Sequence, residues 1–534
     1  MRVFFNLFRR GSRRNDIFQR AVDPVIARVA PLAERLESRR LLAATCSASG
    51  TVLTVTDAIG TANAIVVSDN SGTIKVMDGA ADITGSCNIT TSTVTQLNAS
   101  LAGGADSYSM GTLTFPTSLD GGSGNDTLTG GAGDDVFIPN DGSDVYDGGA
   151  NTAIASGGGD KIVFNTGSWS GNLSISLDNV ANDTNDAFGT DNIKDTIEIV
   201  IGGTGNDTIT GSANADYLDG GLLGNDVLSG GDGNDTLVGG PGNDSLNGQG
   251  HNDYLIPGTG DDTLIGSGST DTADFSASGT NVSITLDDVA NDTTESSTAH
   301  SNIKRDIEII IGTSHADTIT GADSTTGGNA PVTIFGGDGD DSIRGSDWGD
   351  DLYGEVGNDT ILGEDGHDYV DGGNDSDQVK GGKGHDTVTG GAGTDNVSLT
   401  GASNALNFSL DGSNNDSDGF ADYATNNYSD IEEWYLSDLD DVFNGGTVSY
   451  NLTVYGYGGN DTLTGGNGND YIEGGTSGDT ITGGGGSDSL IGGTGDDSFY
   501  VQDGNTDTVD GSDGTDTVLN HDGSDVISNV ETIM

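Results

Sequence analysis

One large apolar residue recurs every nine positions through most of this chain, and the residues between are small or polar. In GGDGNDTLV (230–238) it is Leu237, and in the following copy it is Leu246. Thr236, Leu237 and Val238 read as a very short strand, because β-branched and aliphatic side chains suit a pleated, half-buried surface. Gly230, Gly231 and Gly233 precede that strand. Glycine tolerates positive φ and the crowding of carbonyl oxygens, so these residues read as a turn. A turn every nine residues is too frequent for an ordinary sheet, but two such units close one coil of eighteen residues. The pattern predicts strands stacked in parallel, coil on coil, with Leu, Ile and Val side chains in a thin central column.

Stacking carries a chemical consequence. Asp235 falls over Asp253, and Asp244 over Asp262, so the turns form two ladders of carboxylates edged by glycine carbonyls. Nests made of oxygen alone suit a hard cation with six to eight ligands, which points to Ca2+ rather than Zn2+.

The phrase G-G-x-G-x-D followed by a short apolar strand resembles the nonapeptide of repeats-in-toxin (RTX) proteins. That resemblance implies an all-β chain of parallel β-roll blocks, a calcium-loaded β-helix, with Ca2+ held between adjacent turns. The register falls into four blocks, at 119–165, 202–274, 312–398 and 456–534. Carried onto this chain, the candidate metal ligands are Asp126, Asp135 and Asp144 in the first block and Asp207, Asp226, Asp235, Asp244, Asp253 and Asp262 in the second. The third block supplies Asp341, Asp350, Asp359, Asp368, Asp377 and Asp386, and the fourth Asp461, Asp470, Asp479, Asp488, Asp497 and Asp516. Asp216, Asp271, Asp317, Asp395, Asp507 and Asp525 keep the same register without being counted among the ligands.

Several copies depart from the phrase. GSANADYLD (211–219) places Asn214 and GSDWGDDLY (345–353) places Trp348 where the third glycine belongs. An extra residue around Leu222 and Leu223 sets Asp216 and Asp235 nineteen apart, and PNDGSDVYD (139–147) and NHDGSDVIS (520–528) lack the opening glycine pair. Weak or absent sites are expected there, along with fraying at the block ends.

β-rich spacers at 166–201, 275–311 and 399–455 join the blocks into a linear super-repeat array. Leu173, Ile175 and Leu177, and likewise Val282, Ile284 and Leu286, alternate as strands, and IEIVI (197–201) and IEIII (307–311) lead straight into the next block. A diverged third copy runs from Leu406 through Ile431 and Glu432, and NVETIM (529–534) reads as the start of another spacer strand serving as a cap. The spacer turns hold acidic clusters (Asp178, Asn179, Asn182 and Asp183; Asp287, Asp288, Asn291 and Asp292), which read either as solvated Asx turns or as further calcium sites. NNDSDGFAD copies the first half of an EF-hand loop through Asn414, Asp416, Asp418 and Gly419, but Thr425 stands where the bidentate Glu belongs.

Charge sharpens the picture. The chain has 84 acidic and 18 basic residues, a formal net charge of −66, and only 32% apolar residues. Ten of the basic residues lie in 1–44, so the remainder carries a net charge of −72. Such a composition stands near the disordered class unless counter-ions are part of the fold. A ladder of n turns offers about n−1 sites between turns, which suggests roughly 15–20 calcium ions in all. The acidity argues against nucleic acid as a partner.

The basic leader 1–44 lacks the apolar core of a signal peptide. Leu36, Glu37, Ser38, Arg39, Arg40, Leu41 and Leu42 resemble the LEPR-XLL segment of large bacterial extracellular proteins, with Ser38 in place of proline, which implies export. Residues 45–118 read as a small β-rich domain holding Cys46 and Cys87, either as a disulfide or as two free thiols. No run is apolar enough for a transmembrane span.

No enzyme is expected. No histidine precedes Glu in an HExxH arrangement, no GxSxG elbow is present, and His251, His367 and His385 fall at variable places in the turns. The sequence points to a secreted, calcium-binding repeat protein, with Ca2+-induced folding and a structural or adhesive role at the bacterial surface or matrix, where polysaccharide or matrix components are its expected partners. The competing reading is an extracellular carbohydrate-active enzyme or carbohydrate-binding adhesin using a spacer face or residues 45–118. Trp169, Trp348, Trp434 and Tyr435 are its candidate platforms.

Overall fold

A computed structural model describes residues 44–49, 52–57, 64–69, 74–78, 81–82, 94–111, 113–149, 158–164, 171–185, 189–294, 301–321, 330–384, 386–400, 406–410, 427–521 and 523–534. The leader with its LEPR-XLL-like segment, Cys87, the EF-hand-like loop and Trp169 lie outside them, as does the side chain of Cys46. Among the described residues every regular element is a β-strand. The chain divides into two compact units, Met1–Gly171 with Ala181–Ile197, and Asn172–Val180 with Glu198–Met534.

In the larger unit the nonapeptides wind as a parallel β-solenoid. Thr236–Pro241 pairs in parallel with Tyr254–Thr259, aligning Leu237 with Leu255. The intervening strand Ser245–Gly250 pairs with Val227–Asp232, aligning Leu246 with Leu228. Alternate nonapeptides therefore feed opposite sides, and two make each coil. The eighth residue of each repeat points inward, and the seventh and ninth lie at the surface, as the period of two in a strand requires. Leu218, Leu237 and Leu255 on one side and Leu228, Leu246 and Leu264 on the other are fully buried.

The spacers do not interrupt these rows. Ala273 aligns with Ile310, and Ile310 with Ile334, so the row crosses the second spacer unbroken. Among the described residues between Asp274 and Ile309, the strand Ser283–Thr285 opens a further row through Ile284 and Ile319. The third spacer behaves likewise, with Val397, Trp434 and Val454 in one row and Phe443 and Leu463 in another. The inserted residue near Leu222 is extruded: Leu222 and Leu223 are 54% and 59% exposed, while Leu218 and Leu237 remain aligned. At 529–534 the strand Thr532–Ile533 pairs with Thr517–Leu519, so the solenoid winds on to the last residues.

The smaller unit obeys the same geometry. Val55, Ala99, Leu119, Phe137 and Ile162 line one parallel row, and Ile65, Tyr108, Leu128, Tyr146 and Ile193 the other. Strands within 94–120 thus belong to the same winding as the first block. Antiparallel partners, Ala44–Ser49 beside Val52–Asp57 and Ile74–Asp78 beside Ala64–Asp69, precede it.

Candidate metal centre

Each turn ends on an aspartate whose strand pulls it inside, since the inward column begins two residues later. Asp226, Asp235, Asp244, Asp253 and Asp262 are all buried. Their stacking is explicit. Asp226 N–H donates to Asp244 Oδ1 at 2.7 Å, and Asp244 N–H donates to Asp262 Oδ1 at 2.8 Å. On the opposite side Asp235 and Asp253 donate in the same way to Asp253 and Asp271. The nineteen-residue step from Asp216 to Asp235 keeps the bond at 2.8 Å. The ladder then ends on the spacers' glutamates: Glu308 accepts from Asp271, Glu432 from Asp395, and Glu531 from Asp516. Glutamate's extra methylene lets one side chain bridge the longer step, and a β-branched residue before Glu (Ile307–Glu308, Ile431–Glu432, Val530–Glu531) is the sequence signal for it.

One carboxylate oxygen is therefore committed to the protein itself. The other is not. Oδ2 of Asp126, Asp235, Asp244, Asp253, Asp271, Asp341, Asp359, Asp368, Asp377, Asp395, Asp461, Asp479, Asp488, Asp497 and Asp516 is buried without a hydrogen-bond partner. Buried polar atoms are rarely left so, because an unmet acceptor loses its hydration for nothing. The space beside each Oδ2 is made by the repeat's first glycine. A Cβ on Gly230 would collide with Asp235 Oδ2 and approach the Gly248 carbonyl oxygen of the next coil, and one on Gly239 would meet Asp244 Oδ2 and the Pro257 carbonyl. Gly230 is thus needed for room, whereas Gly231 and Gly233 are needed for backbone shape, with φ of 113° and 125°.

Burial acts on these acids as it must. It pushes Asp235, Asp368 and Asp461 up to about 8, with the neighbouring carboxylates adding to the effect. Asp126, Asp341, Asp377 and Asp479 rise to about 7, and Asp244 and Asp253 to about 6, also through burial. The basic side chains Lys194, Arg305, Arg344 and Lys383 pair with Asp147, Asp288, Glu364 and Asp365 rather than with the ladders. Among the described residues no three His, Cys, Asp or Glu side chains converge as a ligand set. The turns present one carboxylate oxygen each with backbone carbonyls nearby, an all-oxygen environment that suits calcium better than zinc, which favours Cys and His.

Other candidates are placed differently. Asp135, Asp207, Asp350 and Asp470 accept a backbone N–H at Oδ2, from Gly131, Gly203, Ser346 and Gly466. Asp216, Asp317 and Asp441 do the same with Ser212, Thr313 and Ser437. Asp144 Oδ2 takes the Tyr146 hydroxyl at 3.0 Å. In the spacers Asp178 and Asp287 make Asx turns to Val180 and Val289, and Asp292 spends both oxygens on the amides of Thr285 and Ile303. A second ladder went unnoticed in the sequence, although the recurring N-D dipeptide signals it. The fifth residue accepts from the coil above, Asn225 Oδ1 from Asn243 N–H and Asn243 Oδ1 from Asp261 N–H.

Among the described aromatic candidates, Trp434 and Tyr435 are covered. Trp434 is fully buried, its ring 5.1 Å from Phe443, because Glu433–Tyr435 turns its middle residue inward. Tyr435 lies stacked on Tyr455 at 5.1 Å, so those ring faces cover each other. Trp348 is 48% exposed.

The two jobs within a repeat separate by mutation. Asp244→Asn keeps an acceptor for Asp226 N–H but loses the anionic oxygen, so the full chain should need more calcium to fold yet recover at high calcium. Leu246→Ala should cost on the order of 2–5 kcal/mol through a cavity that calcium does not refill. Calcium titrations of both variants by circular dichroism check this, and equal calcium dependence would refute the division.

A family model described as the RTX calcium-binding nonapeptide repeat matches residues 117–146, 194–276, 320–347, 349–402 and 453–527. Among curated proteins nothing matches the chain. The family spans cover half of the chain, which belongs to the RTX calcium-binding nonapeptide repeat proteins and is a Ca2+-binding repeat protein with a parallel β-solenoid fold.

Proposed function

We propose, starting from that family membership, that this chain is an exported structural protein of the bacterial surface or matrix whose solenoid is assembled by calcium outside the cell. Repeats of this kind are typical of secreted proteins, and among the described residues no helix is long and apolar enough to cross a membrane. One observation carries the reading: row upon row of buried, unpartnered Asp Oδ2 atoms, many of them in a space shared with a backbone carbonyl of the next coil, as at Gly230, Gly239, Gly354 and Gly474. An oxygen lattice of this density calls for a cation to meet its buried acceptors. In a calcium-poor cytoplasm the chain stays extended and exportable, and calcium then locks its acidic solenoid into a form suited to adhesion or scaffolding.

Equilibrium dialysis of the full chain against buffered calcium tests this reading. Many bound Ca2+ per chain are expected, resistant to excess Mg2+, whose tight octahedral demand the carbonyl cradle does not meet. Binding of a single ion, or equal retention of Mg2+, would overturn it.

A further inference from the structure

We propose that the glycine-rich turns are of two kinds, and that turns whose aspartate is already held by the second residue's backbone amide take no calcium, even where their sequence is intact. The inference rests on the calcium reading above and asks which turns it applies to.

In an open turn the second residue has positive φ, as in Gly231 (113°), Gly240 (94°) and Gly475 (113°), and the following Asp235, Asp244 and Asp479 keep a partnerless Oδ2. In a closed turn the second residue lies outside that region. Gly203 then donates to Asp207 Oδ2 at 2.9 Å, Gly466 to Asp470 at 2.7 Å and Gly131 to Asp135 at 2.7 Å. The letters do not distinguish them: GGTGND (202–207) and GGNGND (465–470) are closed, and GGDGND (230–235) is open.

The cause is where the amide finds its partner, since each buried N–H must find one. A strand that runs on through the turn, such as Thr236–Pro241, sets Gly240 opposite Gly258 in the parallel ladder. The three-residue strands Ile199–Ile201 and Thr462–Thr464 precede turns whose second amide closes on the carboxylate, whereas Thr453–Tyr455 and Thr480–Thr482, equally short, precede open turns, so strand length alone does not set the state. Non-glycine residues follow the same division. Gln249 (77°), Glu355 (75°), Glu364 (81°) and Tyr457 (67°) accept the left-handed conformation, and the turns they open have a partnerless Oδ2 at Asp253, Asp359, Asp368 and Asp461. Side chains resist that conformation, so its repeated use marks positions where the open carboxylate is worth the strain. Ser346 and Ser437 avoid it, and their hydroxyls add a second bond to Asp350 and Asp441. In a closed turn an N–H hydrogen occupies the place a cation would take and uses the lone pair it needs. The rule also admits Asp395 in GGAGTD and Asp271, whose Oδ2 is open although its copy GSGSTD (266–271) lacks two of the glycines.

Crystals of the calcium-loaded full chain, read by anomalous scattering from calcium, test this turn by turn. Peaks are expected beside Asp235, Asp271, Asp395 and Asp479, and none beside Asp135, Asp207 and Asp470. In solution, Asp479→Asn should lower the calcium retained in dialysis while Asp470→Asn leaves it unchanged, with circular dichroism confirming that both variants fold. Peaks at open and closed turns alike, or equal calcium loss in the two variants, would overturn the inference and leave the calcium reading standing. No peak at any turn would sink both.

Discussion

Stripping calcium from the full chain at neutral pH is expected to abolish most of its β-structure. The chain carries a net charge of −66 and is only 32% apolar, so a thin column of single Leu, Ile and Val residues has to offset the ordering of 534 residues. Against it stand the ladder acids, which burial and mutual repulsion hold at about 6 to about 8 in the folded chain. Each tenfold weakening of an acid corresponds to about 1.4 kcal/mol. Ten such acids weakened only tenfold would consume about 14 kcal/mol, as much as the whole stability of a typical domain, about 5–15 kcal/mol. The metal-free, fully ionised solenoid is therefore expected not to stand.

Calcium is expected to reverse the balance by binding the folded chain, each added site multiplying the effect of free calcium on the equilibrium. Far-ultraviolet circular dichroism and the hydrodynamic radius in excess chelator should report an expanded chain with little β-signal. Returning millimolar Ca2+ should restore the signal over a narrow range of concentration, because neighbouring turns share a ladder and order each other. A compact, β-rich chain in chelator at neutral pH would refute the proposal.

Much of this architecture is legible in the residues, for physical reasons. A single inward side chain at a fixed phase leaves only one way to wind, so Leu237 over Leu255 and Asp244 over Asp262 follow from spacing alone. The spacer strands are equally plain, since Ile175 and Ile284 alternate with polar neighbours and are buried as alternation demands. The same alternation in Glu433–Tyr435 places Trp434 in the core, and reading it as a surface ring overlooked that phase. What the letters do not carry is the choice between two backbone states. GGTGND (202–207) and GGDGND (230–235) differ at one variable residue, yet Asp207 is closed and Asp235 open. That choice lies in the backbone of the second residue, which has positive φ at Gly231 and not at Gly203. Nor do the letters show that 94–120 winds with the first block, because Gln96–Ser100 and Thr117–Asp120 lack the glycine-aspartate phrase and join through pairing alone.

Acid is expected to act in opposite directions with and without calcium. An unfolded aspartate titrates near 3.9, whereas in the metal-free folded chain burial holds Asp244 at about 6, Asp341 at about 7 and Asp235 at about 8. Between those values the folded chain binds more protons than the unfolded one, so stability falls as pH rises through about 6 to 8 and is gained on acidification. In chelator, lowering the pH from 8 to 5 should therefore recover β-signal. Protonation removes the repulsion, and a proton on Asp235 Oδ2 has the Gly248 carbonyl close by as an acceptor. With calcium present the sign reverses, because the metal takes only the ionised carboxylate and protons compete for the same oxygen. The calcium needed for half-folding should climb as pH falls below about 7, well above the ordinary aspartate range, since the acids being protonated are the weakened ones. Two pH series of circular dichroism spectra, one in chelator and one at a fixed, barely saturating calcium concentration, would show it as slopes of opposite sign. Slopes of the same sign would mean that the buried Oδ2 atoms are not the oxygens that calcium holds.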